Sequence, residues 1–162
     1  MTLLAVLIVS LVCCSCELTN ESFGSNNQIH ITQPANDAVV STPLTIKWTS
    51  SYPAGTKYAL FFDVPPIPPG RTLRAIPESI HDSTCLIEPS CPQASYLAQF
   101  NIYVTSSTHF DLEAFQFSSA TYDVLQLHRL TIVALGKGGK REGEASYWVD
   151  FRTHPSALGA SS

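Results

Sequence analysis

Apolar and polar residues alternate along much of the chain from residue 28 onward. In residues 44–49, Leu44, Ile46 and Trp48 share one parity, while threonine and lysine occupy the other. A period of two is typical of a strand with one buried face. The pattern therefore predicts extended strands in this region rather than helices. The same period recurs in residues 28–32, 57–63 and 145–153.

Three further stretches carry strand signals of other kinds. Residues 96–104 have an apolar residue at every second position, which predicts another half-buried strand. Residues 130–135 are apolar at both parities, so we expect both faces of that strand to be covered. Residues 110–117 change parity midway, which indicates a bulge or a turn. About seven short strands with regular turns predict an all-β, antiparallel sandwich.

A proline-rich insert interrupts this pattern at residues 64–95. Its first part carries four prolines in residues 65–69, which exclude a central strand and favour a polyproline II segment at the surface. Residues 73–76 carry the only strand signal in the rest of the insert. We expect the insert either to cap an open end of the sandwich or to contact a partner.

The first residues predict export. Residues 3–12 are almost all apolar and would span roughly 15 Å as a helix, which is short for a hydrocarbon core of roughly 30 Å. A signal peptide has an apolar region of this length. The first Lys or Arg is Lys47, so either the true start lies upstream or the signal is atypical. The competing interpretation is a buried strand or core helix.

The sequence Cys13-Cys14-Ser15-Cys16 follows the apolar run and resembles the lipobox of bacterial lipoproteins. This resemblance implies a signal peptide at residues 1–15 and a lipid on Cys16, with Cys14 as the runner-up. Residues 16–27 would then hold the lipidated cysteine and a polar tether. A plain secretory signal, with no lipid, is the alternative.

Cleavage before Cys16 would leave Cys85 and Cys91 as an even pair once Cys16 is acylated. An exported compartment oxidises such a pair. We therefore predict a disulfide that pins the insert and closes a loop of about seven residues. A zinc site is a poor alternative because there is no second cysteine pair.

The segments Leu44-Thr-Ile-Lys-Trp48 and Tyr58-Ala-Leu-Phe-Phe62 resemble the B and C strands of fibronectin type III and related Ig-like domains. Residues 130–134 and 145–153 resemble the F and G strands. The resemblance implies an Ig-like sandwich over residues 28–153, with Trp48 in the core. Residues 154–162 are small and polar, and we expect them to form a flexible tail. The sequence departs from the family at Leu130, where the family has a tyrosine, and in the extra length of residues 64–95.

Composition and motifs exclude several classes of function. Nine Lys and Arg against thirteen Asp and Glu give a net charge of −4, whereas a nucleic-acid binder would show a basic stripe. The five histidines form no close metal-binding pair and are expected to be ordinary surface or strand-edge residues. No nucleophile elbow or P-loop is present. We predict no catalytic residues, no metal and no cofactor.

Three parts of the chain are candidates for partner contact: the insert at residues 64–95, the glycine-rich loop before the last strand, and Trp148. Trp148 has the opposite parity to Tyr147 and Val149, so it points outward or is covered by the insert. A sandwich loop often carries function, and the glycine-rich loop at residues 136–143 carries three cations. The candidate contact residues are Arg71, Arg74, Lys137, Lys140, Arg141 and Trp148.

These observations favour a non-catalytic, lipid-anchored protein of the bacterial cell envelope, at the outer membrane or cell surface. Its Ig-like module would serve structural or adhesive protein interaction, with the membrane as a partner through the lipid. A soluble secreted module that binds carbohydrate or peptide is the second hypothesis. An enzyme whose site is assembled from dispersed residues is the third.

Overall fold

The structure, a computed structural model, describes residues 28–113, 125–143 and 147–153 of the 162-residue chain. Within these residues the fold is mostly β, with three short α-helices and one 3-10 turn at Lys137–Gly139. The strands are β1 (Ile29–Gln33), β2 (Val39–Val40), β3 (Leu44–Ser50), β4 (Lys57–Phe62), β5 (Ile102–Thr105), β6 (His109–Leu112), β7 (Gln126–Leu135) and β8 (Tyr147–Thr153). The helices are α1 (Ala75–Ser79), α2 (Ser83–Ile87) and α3 (Ala94–Ala98).

The described strands form two sheets. One has the order β1-β3-β6, and the other has the order β2-β8-β7-β4-β5. Neighbouring strands are antiparallel except for β2, which runs parallel to β8. The two sheets therefore contribute separate layers, and β7 lies near the centre of the larger one.

The inner faces of the two sheets share one hydrophobic core. Leu44, Ile46 and Trp48 of β3 are buried, which confirms the parity predicted for that strand. Trp48 meets Tyr58 of the opposite sheet edge to face, with ring centroids 5.4 Å apart. This inner core also contains Ile29, Ile31, Leu60, Phe62, Leu112, Leu130, Ile132, Ala134, Val149 and Phe151.

The insert is helical where the sequence predicted little regular structure. The predicted strand at residues 73–76 is wrong, because α1 begins at Ala75 and Pro77 sits in its first turn, where a missing N–H costs little. Helix α2 begins where the Asp82 carboxylate accepts a hydrogen bond from the Cys85 N–H at 3.1 Å.

The predicted strand at residues 96–104 is half wrong. Residues up to Ala98 belong to α3, and Asn101 adopts a φ of 57°, which ends any extended run before β5. Leu97 and Phe100 are three residues apart, so a helical turn places both on the same side. A short apolar run can satisfy both periods, and here tertiary packing favours the helix.

The insert covers part of the outer face of the larger sheet. Ile67 of the insert, together with Leu97 of α3 directly after it, packs against Phe61 of β4 and Val133 of β7 in a second hydrophobic cluster. This outer cluster explains why β4 is buried on both faces. It also explains why the sequence of β4 is apolar at nearly every position instead of alternating strictly. It also confirms that both faces of residues 130–135 are covered.

A disulfide joins Cys85 and Cys91, as predicted from the cysteine count. Their Cα atoms are 5.4 Å apart, within the range that such bonds require. Cys85 is buried in α2. The bond therefore fixes the middle of α2 to the start of the segment that leads into α3.

The N-terminal predictions lie outside the described residues. These are the signal peptide at residues 1–15, the lipidated Cys16 with its runner-up Cys14, and the tether up to residue 27. The tail at residues 154–162 and the parity change after residue 113 also lie outside them. No helix in the described part of the chain is long and apolar enough to cross a membrane.

Candidate functional site

An open groove of about 810 Å³ lies on the outer face of the larger sheet. The chain that leaves β4 forms one wall, and the outward side chains of β7 and β8 form the floor. The insert covers the neighbouring part of this face but leaves the groove open. The groove is lined by Asp63, Val64, Pro65, Pro66, Leu127, Arg129, Thr131, Trp148 and Asp150, and we call it the Trp148 groove.

An ion pair occupies the middle of the floor. Arg129 of β7 lies opposite Asp150 of β8 in the strand register. Arg129 Nε and Nη2 donate to the two carboxylate oxygens of Asp150 at 2.7 and 2.8 Å. These hydrogen bonds hold the pKa of Asp150 below its ordinary value and raise the pKa of Arg129. Both groups are therefore charged across the physiological pH range.

Trp148 forms the aromatic part of the floor. Its neighbours Val149 and Phe151 are buried, whereas Trp148 is 45% exposed. The Cζ atom of Arg129 lies 5.8 Å from the Trp148 ring centroid, within the range of a cation–π contact. The sequence allowed Trp148 either to point outward or to be covered by the insert. In the structure it points outward, and the insert lies across the groove from it.

Asp63 holds the wall against the floor. It follows the end of β4 with a φ of 57°, a conformation that aspartate tolerates better than most residues. Its N–H donates to the Arg129 carbonyl at 2.9 Å, and its Oδ1 accepts from the Arg129 N–H at 2.6 Å. The prolines that follow cannot extend β4, so the chain turns away and becomes the wall.

A buried polar network lies beneath the wall. His128 Nδ1 is 2.7 Å from Asp63 Oδ2, and His128 Nε2 is 2.9 Å from Thr153 Oγ1. The prediction that every histidine lies at the surface or a strand edge is wrong for His128, which is only 4% exposed. These residue types occur in acid–base–nucleophile triads, but Thr153 is 3% exposed, so its hydroxyl does not face a substrate.

The arginines predicted in the insert lie outside the groove lining. Arg71 forms an ion pair with Glu78, and both side chains are largely exposed. Arg74 donates to the carbonyl of Leu86 and so ties α1 to α2. Arg74 thus contributes to the internal structure of the insert, while Arg71 remains at its surface.

The three predicted loop cations have different environments. Lys137 and Lys140 are exposed, as expected. Arg141 differs from the expected free loop cation: it is 7% exposed, and its Nη1 donates to the Ile67 carbonyl at 2.6 Å. A charged donor inside the fold satisfies a backbone acceptor that would otherwise be buried without a partner.

Backbone hydrogen bonds join this loop to the insert. The Gly70 N–H donates to the Arg141 carbonyl at 3.0 Å, and the Arg141 N–H donates to the Arg71 carbonyl at 2.8 Å. An isolated bridge also pairs Thr72 with Lys140. The loop and the insert, two separate features in the sequence, therefore form one surface.

A smaller concavity of about 300 Å³ lies beside the disulfide. The Asp82 carboxylate in it accepts from the Cys85 N–H and from the Tyr96 hydroxyl, the latter at 3.0 Å. These bonds lower the pKa of Asp82. Because Cys85 lies in α2 and Tyr96 lies in α3, this polar cluster holds the two helices together.

Sequence reasoning missed most of the groove. Asp63, Arg129 and Asp150 carried no motif, and only Trp148 was singled out. One signal was readable: Asp150 lies two residues after Trp148 on a strand, which places both on one face. The pairing with Arg129 depends on the register of β7 against β8, and local sequence does not give that register.

No group of three or more His, Cys, Asp or Glu residues in the described ranges could hold a metal ion. Comparisons of the chain with protein-family models, with curated proteins and with solved structures find no match.

Proposed function

We propose that this chain is an exported, non-catalytic binding module with an Ig-like sandwich fold. A lipid on Cys16 would hold it at the bacterial cell envelope, and the Trp148 groove would contact its partner. The observation that carries the proposal is the open groove itself. It exposes an indole and a bidentate ion pair on a sheet face that the insert covers only in part.

The strand order supports the Ig-like assignment. In immunoglobulin-type sandwiches, strands A, B and E share one sheet, and strands C, F and G share the other. If β3 is strand B and β4 is strand C, then the order β1-β3-β6 corresponds to A-B-E, and β8-β7-β4 corresponds to G-F-C. Both correspondences agree with the resemblance drawn from the sequence.

The shape and lining of the groove support binding. Its volume falls within the range of roughly 300–1,000 Å³ typical of ligand sites. Tryptophan and arginine are among the residue types that most often dominate binding energy at interfaces. The burial of the Thr153 hydroxyl supports a role without catalysis, because a nucleophile must reach its substrate.

A retention assay tests whether the Trp148 groove binds a partner. Beads that carry the full chain are passed at constant flow over surfaces coated with mucin, collagen or fibronectin, and the retained fraction is measured. We expect retention on at least one surface, with at least a tenfold loss for Trp148→Ala. Ile87→Ala removes a side chain that is 83% exposed in the insert and should leave retention unchanged. Equal retention of wild type and Trp148→Ala on every surface contradicts the proposal.

Mass spectrometry of the mature N-terminal peptide tests the lipid. Acyl chains on Cys16 would contribute about 0.8 kcal/mol for each buried methylene and hold the protein at a membrane. We expect a diacyl-type mass increase on Cys16 that Cys16→Ser abolishes, with release of the variant into the soluble fraction. An unmodified Cys16 in a membrane-free protein would instead favour the secreted alternative.

A further inference from the structure

We propose that the Trp148 groove binds a short, neutral oligosaccharide, with one sugar ring stacked on Trp148 and its hydroxyl groups bound by Arg129 and Asp150. This inference rests on the proposed binding function and names its ligand class. It follows from three properties of the floor, namely its aromatic surface, its hydrogen-bonding capacity and its charge.

The aromatic property is the exposed indole of Trp148. The π face of an indole is negative and attracts the weakly positive edges of neighbouring groups. The C–H-rich face of a pyranose ring provides such positive hydrogens together with apolar area. Trp148 is 45% exposed and lines the groove, and the Arg129 Cζ lies 5.8 Å from its ring centroid, so a sugar ring that stacks on the exposed part of the indole also lies close to Arg129.

The hydrogen-bonding property is that the floor presents donors and acceptors side by side. A guanidinium has five N–H groups, and Arg129 donates through two nitrogens to Asp150. Further N–H groups of Arg129 and further lone pairs of the Asp150 carboxylate are therefore available to a ligand. Adjacent sugar hydroxyls each donate and accept, so one pair of hydroxyls can satisfy both residues.

Peptide ligands fit this floor less well. An extended peptide gains most of its main-chain hydrogen bonds by adding to a sheet edge. The floor is the face of β7, which is paired with β8 on one side and β4 on the other. A polyproline segment offers acceptors only, so it would displace water from Asp150 without supplying a donor, which is unfavourable.

The charge of the floor favours a neutral sugar. Arg129 and Asp150 cancel each other, while Asp63 adds a second carboxylate to the lining. Asp63 already accepts one hydrogen bond from the Arg129 N–H, and its other carboxylate oxygen lies 2.7 Å from His128 Nδ1. An anionic saccharide would therefore approach two carboxylates and one guanidinium that is already paired, and we expect it to bind more weakly.

The two tryptophans of the chain allow a direct test. Trp48 is 3% exposed, so a collisional quencher such as acrylamide reaches Trp148 preferentially. The full chain is titrated with maltotriose, cellotriose, mannotriose and chitotriose, with oligogalacturonate as the anionic arm and a proline decamer as the peptide arm. At least one neutral trisaccharide should shift the emission to the blue and protect Trp148 from quenching.

Calorimetry with the same sugar then tests the assignment of residues. Trp148→Ala should abolish the binding heat, and Asp150→Asn should weaken affinity at least tenfold. Ile87→Ala should bind as the wild type does. Far-ultraviolet dichroism and urea midpoints establish that each variant is folded.

The alternative outcomes separate the two proposals. Tighter binding of oligogalacturonate, or a response to the proline decamer with none to any sugar, overturns the inference of a neutral sugar. The proposed binding function then still stands if bead retention depends on Trp148. A binding heat for a neutral sugar that persists in Trp148→Ala places the sugar elsewhere and also overturns the inference. No response in any arm, together with equal bead retention, overturns both.

Discussion

At the scale of single residues, His128 connects the core to the groove. Its ring lies between Asp63 of the wall and Thr153 at the end of β8, and it contacts Phe151 with ring centroids 5.6 Å apart. Hydrogen bonds inside a low-dielectric interior are costly to leave unmade. This network therefore fixes the position of Asp63, which in turn holds the wall.

Thr153→Val is expected to lower the free energy of unfolding by about 1–3 kcal/mol, because it leaves His128 Nε2 buried without its hydroxyl partner. Urea denaturation measures the change. Thr45→Val is the matched control, since it removes an exposed hydrogen bond to Asp111 and should cost less than about 0.5 kcal/mol. Equal effects of the two substitutions would show that the network does not stabilise the fold.

Asp150 makes stability depend on pH. Because Arg129 lowers the folded-state pKa of Asp150, its ionised form stabilises the fold above the unfolded pKa of about 3.9. That contribution is lost as pH falls through the lower folded-state pKa. The stability difference between wild type and Asp150→Asn should therefore be constant above about pH 5 and shrink in more acidic solution. A difference that is the same at all pH values contradicts this expectation.

At the scale of elements, Arg141 joins the glycine-rich loop to the insert. Its guanidinium reaches the Ile67 carbonyl, which follows directly after the wall residues. Loss of this contact should therefore affect both the outer cluster and the position of the wall.

We expect Arg141→Leu to lower the free energy of unfolding by about 1.5–3 kcal/mol, because the Ile67 carbonyl loses its charged donor. Chemical denaturation measures this effect, and the groove assay should show weaker binding in the same variant. Lys140→Ala, one residue earlier and exposed, should change neither quantity by a measurable amount. A neutral Arg141→Leu would mean that the backbone hydrogen bonds alone attach the loop.

The strands were predictable where one physical cause dominates. Leu44, Ile46 and Trp48 alternate because one face of β3 meets the inner core, so period and burial agree. Residues 96–104 alternate equally well, yet they do not form one strand. Leu97 lies in α3 and Phe100 lies just after it, and both pack into the outer cluster. The deciding contact there is with β4 and β7, which lie far away in sequence, so local pattern could not reveal it.

At the scale of the whole molecule, the part of the chain that the structure describes contains an inner and an outer hydrophobic cluster, and only the outer one includes residues of the insert. In the described residues, the fully buried side chains of the inner core all lie on strands, whereas the outer cluster includes Ile67 and Leu97 of α3. The candidate site lies where the second cluster ends. The groove exists because the insert stops short of Trp148 on this sheet face. How far the insert extends depends on contacts between distant segments, so no single segment of the sequence specifies it.

Reduction of the Cys85–Cys91 disulfide should loosen the insert before the sandwich. The loop-entropy model gives a loss of about 2 kcal/mol for a loop of this length. Hydrogen exchange should become faster for amides of α2 and α3, while amides of β3 and β8 keep their protection. The double variant Cys85→Ala/Cys91→Ala should behave as the reduced protein does. Equal loss of protection in β3 and α2 would show that the molecule unfolds as one unit.

The prolines of the wall have a consequence for association kinetics. The rings of Pro65 and Pro66 restrict the backbone before any ligand arrives, and Trp148 stands on a strand paired along its length with β7. Ligand binding to such a surface costs little conformational entropy, since folding has already ordered the backbone. Complex formation should therefore follow a single exponential in stopped-flow measurements, with a rate constant that rises linearly with ligand concentration and no slower isomerisation phase.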